Sequence, residues 1–182
     1  MNKKKIKVVG VAGELTGWKV TIALHAVLEA MKKINPNITT ELIEMKEYDV
    51  EFVTGQPLSY YNNDTWEVVS TISSADILIF GTPIYQASIT GALKNLFDHF
   101  PVDAFNRKVT GMVTVGGVEK HFLVSEYQLK PILSYLKGLV PRRNVFVHSD
   151  SFSEINEIID ESVKPRINLM AEEMLNLYKC IK

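Results

Sequence analysis

The sequence is short of the residues that mark several protein classes. It has one cysteine, Cys180, close to the C-terminus. A lone thiol makes no internal disulfide, no CxxC pair and no iron–sulfur site. That usage suits a reducing compartment, so a cytoplasmic location is expected. Net charge is also nearly absent, with 20 Lys and Arg against 21 Asp and Glu. No long-range field of either sign then points to nucleic acid or to an anionic membrane as a partner. No apolar run approaches the roughly 20 residues that a membrane-spanning helix needs. Lys3, Lys4 and Lys5 precede Ile6, Val8 and Val9 in the manner of a signal peptide, but Lys7 and Glu14 interrupt the run. No metal site is expected.

What remains is the make-up of an ordinary globular protein, 46% hydrophobic and 23% charged. Its 182 residues suffice for one domain with a single substantial core, and residues 1–182 are read as that domain. Apolar runs rich in β-branched residues occur at Ile6–Val11, Thr39–Ile43, Asp76–Phe80, Val109–Val115 and Asn144–His148. They read as strands of a parallel sheet covered on both faces, because they are near-continuous rather than alternating. Helical patterns run from Trp18 to Lys33, Asp64 to Ser73, Ile89 to Phe100 and Ser125 to Lys137. A last one spans Glu154–Tyr178, with Ile155, Ile159, Val163, Ile167, Met170 and Met174 on one stripe and Pro165 expected to kink or split it.

Such alternation predicts a doubly wound α/β domain with helices on both faces. Five strands with no second half favour a flavodoxin-like sheet over a full dinucleotide fold. Gly10, Gly13 and Gly17 also lack the G-x-G-x-x-G spacing. Ligands in open α/β sheets collect beyond the C-terminal ends of the strands. The loops Gly13–Lys19, Gly81–Ser88 and Gly116–Lys120 reach that edge, and each contains glycine. In the middle loop, GTPIYQAS, Pro83 stiffens the chain, Ser88 is expected to cap the next helix and Gly91 removes a side chain. The polar, aromatic stretch Glu47–Asn63 is the long loop of the domain.

The stretch GTPIYQASITGALKNLFDHFP strongly resembles the NAD(P)H-dependent FMN reductases, and above all the branch serving two-component sulfonate monooxygenases. VGGVEKHFLVSEYQLKPILSYL resembles a second motif of that family. The resemblance implies a flavin-dependent oxidoreductase that uses NAD(P)H to reduce FMN by hydride transfer. Electrons would pass to free flavin, a quinone or a partner monooxygenase. Pro83, Ile84, Tyr85 and Gln86 would line the flavin ring, with main-chain N–H groups at its polar edge, and Gly116 and Gly117 would meet it from the next loop. Gly13, Thr16, Lys19 and Thr21 would serve the phosphate. The helix after Ser88 would form a homodimer or homotetramer. No side chain is nominated as an acid or base, and His121 is read as a capping or packing residue.

The first loop departs from the family's G-S-x-x-x-x-S-x-T. Glu14 and Lys19 stand where hydroxyls are expected, and Val115 and Val118 replace Thr and Ser in the third loop. A carboxylate about 4–5 Å from a phosphate costs roughly 3–4 kcal/mol per unit charge at an effective dielectric near 20. Glu14 either faces the phosphate, turns outward to a lysine, or caps the helix start. The alternative function is therefore a flavodoxin-like scaffold with weakened flavin binding, acting as an interaction or regulatory protein. A dedicated flavodoxin carrier would be strongly acidic, and a phospho-acceptor receiver needs clustered acids that Glu14 alone does not supply. Arg142 and Arg143 are read either as partners of a ribose phosphate or as a solvated pair.

Overall fold

The computed structural model describes residues 5–182, so Lys3 and Lys4 lie outside the described residues. Its strands are β1 (Ile6–Ala12), β2 (Ile38–Glu44), β3 (Ile77–Pro83), β4 (Val109–Gly116) and β5 (Val145–His148). All neighbours are parallel and the order is β2-β1-β3-β4-β5. β3 and β4 are buried almost throughout, and β1 from Val8 onward, which is why their sequences are continuously apolar. β2 and β5 lie at the edges and alternate in burial instead.

Helices α1 (Lys19–Ile34) and α5 (Val163–Ile181) cover one face, where Leu24, Val27, Met31, Met170 and Met174 meet Val8, Ile79 and Val113. Helices α2 (Asn63–Ser74), α3 (Gly91–Asp98) and α4 (Lys130–Tyr135) cover the other, around Phe80, Phe97 and Phe105. Tilted and edge-on ring contacts of 4.9–5.5 Å join those phenylalanines.

Local chemistry moves several expected boundaries. The last helix begins at Val163, so Pro165 lies in its first turn, where a missing N–H needs no partner; it neither kinks nor splits the helix. Ile155 and Ile159 belong to the preceding loop and are 77% and 58% exposed, so the buried stripe starts at Val163. The helix expected from Ser125 opens as a π turn, Ser125–Leu129, before α4. Pro131 lacks an N–H and its ring crowds the carbonyl four residues back, which suits a wider turn. Thr90 rather than Ser88 caps α3, accepting from Leu93 N at 3.2 Å. Its hydroxyl donates to Gly13 O at 2.7 Å and so ties α3 to the loop after β1.

Candidate active site

Beyond the C-terminal ends of β1, β3 and β4, the chain turns back around one hollow of about 330 Å³. The first wall is the turn between β1 and α1. Gly13 N donates to Gly81 O at 2.8 Å, and a Cβ at Gly13 would sit 2.9 Å from Leu93 Cβ, so only glycine lets the loop lie this close to α3. Gly17 has φ +87°, which brings the chain round into the helix. Trp18 stands at the N-cap position and makes no side-chain cap.

Glu14 makes that cap instead. Its carboxylate accepts from Val20 N at 3.3 Å and Thr21 N at 3.0 Å, and the residue is 3% exposed. Of the three orientations open from the sequence, capping of the helix start is the one adopted. Lys19 reaches away, donating to Ser149 O at 2.8 Å with its ammonium 5.6 Å from the Phe152 ring centre. The Thr21 hydroxyl donates to Glu44 at 3.0 Å, behind the turn. Lys46 closes the outer side, bonded to Gly17 O, paired with Glu44 and lying over the Trp18 ring.

The second wall is Pro83, Ile84 and Tyr85. Tyr85 and Ser88 exchange backbone hydrogen bonds across a two-residue turn, in which Gln86 and Ala87 take φ of 48° and 60° without being glycine. Ile84 N is likewise committed, to Val115 O at 2.9 Å. The N–H groups expected to face a flavin edge are thus engaged at Ile84 and Tyr85 and absent at Pro83, leaving those of Gln86 and Ala87 at the tip. Ser88 Oγ donates to Gln128 Oε1 at 2.8 Å, anchoring the hairpin to the π turn.

The third wall is Val115, Gly116 and Gly117. A Cβ on Gly116 would lie 3.1 Å from His121 Nδ1, so His121 packs against this loop from outside the hollow. That nitrogen is buried with no hydrogen-bond partner among the described residues. Ser149 and Asn156, from the loop beyond β5, complete the lining. The sequence pattern missed that fourth loop, although β5 ends at the same edge.

Of the expected site residues, Thr16, Lys19, Pro83, Ile84, Tyr85, Gly116 and Gly117 come together around the hollow. Gly13 and Thr21 lie behind it, and Gln86 sits on the hairpin tip. Arg142 and Arg143 are at the other end of the sheet, before β5. Their main-chain N–H groups and the Arg143 guanidinium are held by Glu173 of α5.

A second hollow of about 570 Å³ adjoins the first through Thr16 and Tyr85, between α3 and the loop after β2. Asn95 fastens that loop, donating to Glu51 O and accepting from Val53 N. Burial, and after it the carboxylates of Glu67, Glu41, Asp64 and Glu47, push the Tyr48 hydroxyl up, so it lines this hollow as a neutral donor. A larger space of about 740 Å³ lies at the opposite sheet end, by Asp76 and Tyr178. The polar groups there bond chiefly to one another, so we place the site at the smaller hollow.

Solved structures share this architecture. An NADH:FMN oxidoreductase in its apo form superposes with a TM-score of 0.76 at 23% identity, covering 93% of this chain and 90% of that one. A flavodoxin from the Archaea gives 0.64 at 9% identity, covering 96% and 99%. At such identities the likeness is one of fold. Sequence relatives go further. An NAD(P)H-dependent FAD/FMN reductase of Geobacillus thermodenitrificans is 42% identical over 177 residues, 97% of this chain and 96% of the relative. The NADH-dependent FMN reductase SfnF of Pseudomonas fluorescens is 29% identical over 177 residues, 96% and 93% of the two chains. Residues 6–152 match the model of the NADPH-dependent FMN reductases, and the chain belongs to that family.

Proposed function

We propose that this protein reduces flavin with NAD(P)H at the hollow between the α1 turn, the Pro83–Tyr85 hairpin and the Gly116–Gly117 loop. The observation that carries this is the convergence of both family motifs on one hollow, at the sheet edge where α/β folds take ligands. Pro83, Ile84, Tyr85, Gly116 and Gly117 would hold a flavin here, and the ring would supply the capacity to take up hydride from NAD(P)H and hand electrons on. The chain's own task is to hold and orient the ring. The Pro83–Tyr85 segment is stiffened by proline and a two-residue turn, and Gly116 and Gly117 present bare backbone from the other side. His121 is held against Gly116 from outside, so no side chain of this site is assigned a proton-transfer role. The test is rapid mixing of protein, flavin and either NADH or NADPH. Bleaching of the oxidised flavin absorbance with at least one nucleotide is expected. Its absence with both nucleotides, for FMN and riboflavin alike, leaves the scaffold reading in its place.

Electrons pass on to free flavin, a quinone or a partner monooxygenase, as the motif resemblance implies. The same resemblance supports a homodimer or homotetramer through α3. Two features favour it: Gly91 faces open space, and Phe52 beside it is 78% exposed. Sedimentation velocity is expected to give a mass of at least two chains, and Phe52→Asp to lower it. The location proposed is the cytoplasm, which suits the exposed, unpaired Cys180. Among the described residues no helix is long and apolar enough to cross a membrane.

A further inference from the structure

The start of α1 is built like a phosphate receptor. Its first intrahelical bond is from Ile22 N to Trp18 O at 2.9 Å, so the N–H groups of Val20 and Thr21 have no carbonyl partner within the helix. Such a terminus favours an anion through both its free donors and its dipole. Here the anion comes from the chain itself, because the buried Glu14 carboxylate takes those two donors. Neither lysine flanking the turn forms a salt bridge with it. Lys19 is bonded to Ser149 O, and Lys46 to Gly17 O and Glu44.

We infer that Glu14 is an internal substitute for the flavin phosphate, and that the site therefore takes dephosphorylated flavin, of the riboflavin class, in preference to flavin ending in phosphate. This rests on the flavin-reductase reading and names its substrate more closely. A phosphate entering the turn must displace the carboxylate from Val20 N and Thr21 N or lie beside it. At 4–5 Å and an effective dielectric near 20, the repulsion weakens binding by roughly 100-fold or more. A flavin side chain ending in a hydroxyl meets the opposite situation. It donates to a carboxylate that still has lone pairs to offer. The ring-binding walls are untouched by this exchange, so the discrimination lies in the tail alone.

The experiment measures dissociation constants of riboflavin and FMN by quenching of flavin fluorescence, for wild type, Glu14→Ser and Glu14→Gln. The NAD(P)H-driven bleaching of each flavin is followed in parallel. Wild type is expected to bind riboflavin at least as tightly as FMN. Glu14→Ser is expected to tighten FMN by about 100-fold and to loosen riboflavin by no more than about tenfold, through the lost hydrogen bond to the carboxylate. Glu14→Gln keeps a capping acceptor without the charge and is expected to move FMN in the same direction, so a poorly folding serine variant does not leave the matter undecided. Wild type favouring FMN by about tenfold or more, which is about 1.4 kcal/mol, would overturn the inference. So would substitutions that shift both flavins equally. In either case bleaching would persist and the reductase reading would stand. Failure of every variant to bind or bleach either flavin would remove that reading itself, and this inference with it.

Discussion

Glu14 and Asp76 are carboxylates at opposite ends of the same sheet, and the protein holds them in different ways. Asp76, just before β3, accepts from Lys7 N at 3.0 Å and from the Tyr178 hydroxyl at 3.1 Å, with the Lys182 ammonium at 3.4 Å. Its donors come from β1 and α5, so this carboxylate fastens three elements to one another. Glu14 accepts only main-chain N–H groups of the helix it precedes, in a wall of the hollow. Satisfying a charge with partners from elsewhere in the fold makes it structural. Satisfying it with donors that a ligand could use instead makes it a competitor of that ligand.

The sharpest way to break this contrast is to remove each carboxylate and read stability and flavin binding together. Asp76→Ala strands the Tyr178 hydroxyl and the Lys7 N–H, and is expected to cost about 2–3 kcal/mol. For a chain of this size that lowers Tm by roughly 5–10 °C. Flavin dissociation constants should stay unchanged, since Asp76 lies at the far edge of the sheet. Thermal melts and the fluorescence titration check both halves. A change in flavin affinity without a change in Tm would reverse the roles assigned to the two ends.

The same network predicts how stability depends on pH. Burial pushes the Asp76 carboxyl up, but the Lys7 N–H, the Tyr178 hydroxyl and Lys182 together outweigh it and hold the group below its usual value. Its contribution is therefore present above the unfolded value near 3.8 and is lost as pH falls through the lower folded value. Burial first, and the Asp76 charge second, push Tyr178 up from 10.0 to about 12. That contribution is complete below pH 10 and is lost as pH rises towards 12. Tyr178→Phe is expected to cost about 1 kcal/mol at neutral pH, from the lost hydrogen bond. It should also flatten the alkaline fall in urea-unfolding stability. An equally steep fall in the variant would show that other groups cause it.

Much of this was legible in the sequence, because the signals were local. Four strands lie within one residue of their expected bounds, since uninterrupted β-branched runs have few other uses; β3 runs three residues further than expected, to Pro83. The flavodoxin-like reading followed from strand–helix alternation, five strands with no second half and the missing G-x-G-x-x-G spacing. What stayed illegible depended on tertiary partners. Ile155 and Ile159 continue the period of α5 perfectly, yet the chain turns between Ser153 and Glu157, where Asn156 has φ of 60°, and both side chains face solvent. Thr90 displaces Ser88 as the cap because Gly13 O is within reach of its hydroxyl. The Pro83–Tyr85 loop was recognisable by motif, but the commitment of its N–H groups to Val115 O and Ser88 O was not. Glu14 was visible as an anomaly from the start. Its direction was not, because capping and facing a phosphate use the same spacing from the helix.

That ambiguity allows the smallest effect to be the most discriminating. If Glu14 were present mainly to stabilise α1, Glu14→Gln would lose a charge–dipole interaction and part of a cap. Those two effects together reach about 2 kcal/mol in favourable geometry. Against this, a buried carboxylate that forms no salt bridge carries a desolvation cost, which the neutral amide relieves while its oxygen still accepts from Thr21 N. The opposing contributions are of similar size, so the net loss expected in urea unfolding is under about 1 kcal/mol. A loss above about 2 kcal/mol would make Glu14 a structural residue like Asp76. A near-neutral result beside a large shift in FMN affinity would mean that the turn tolerates the charge and that the choice of flavin depends on it.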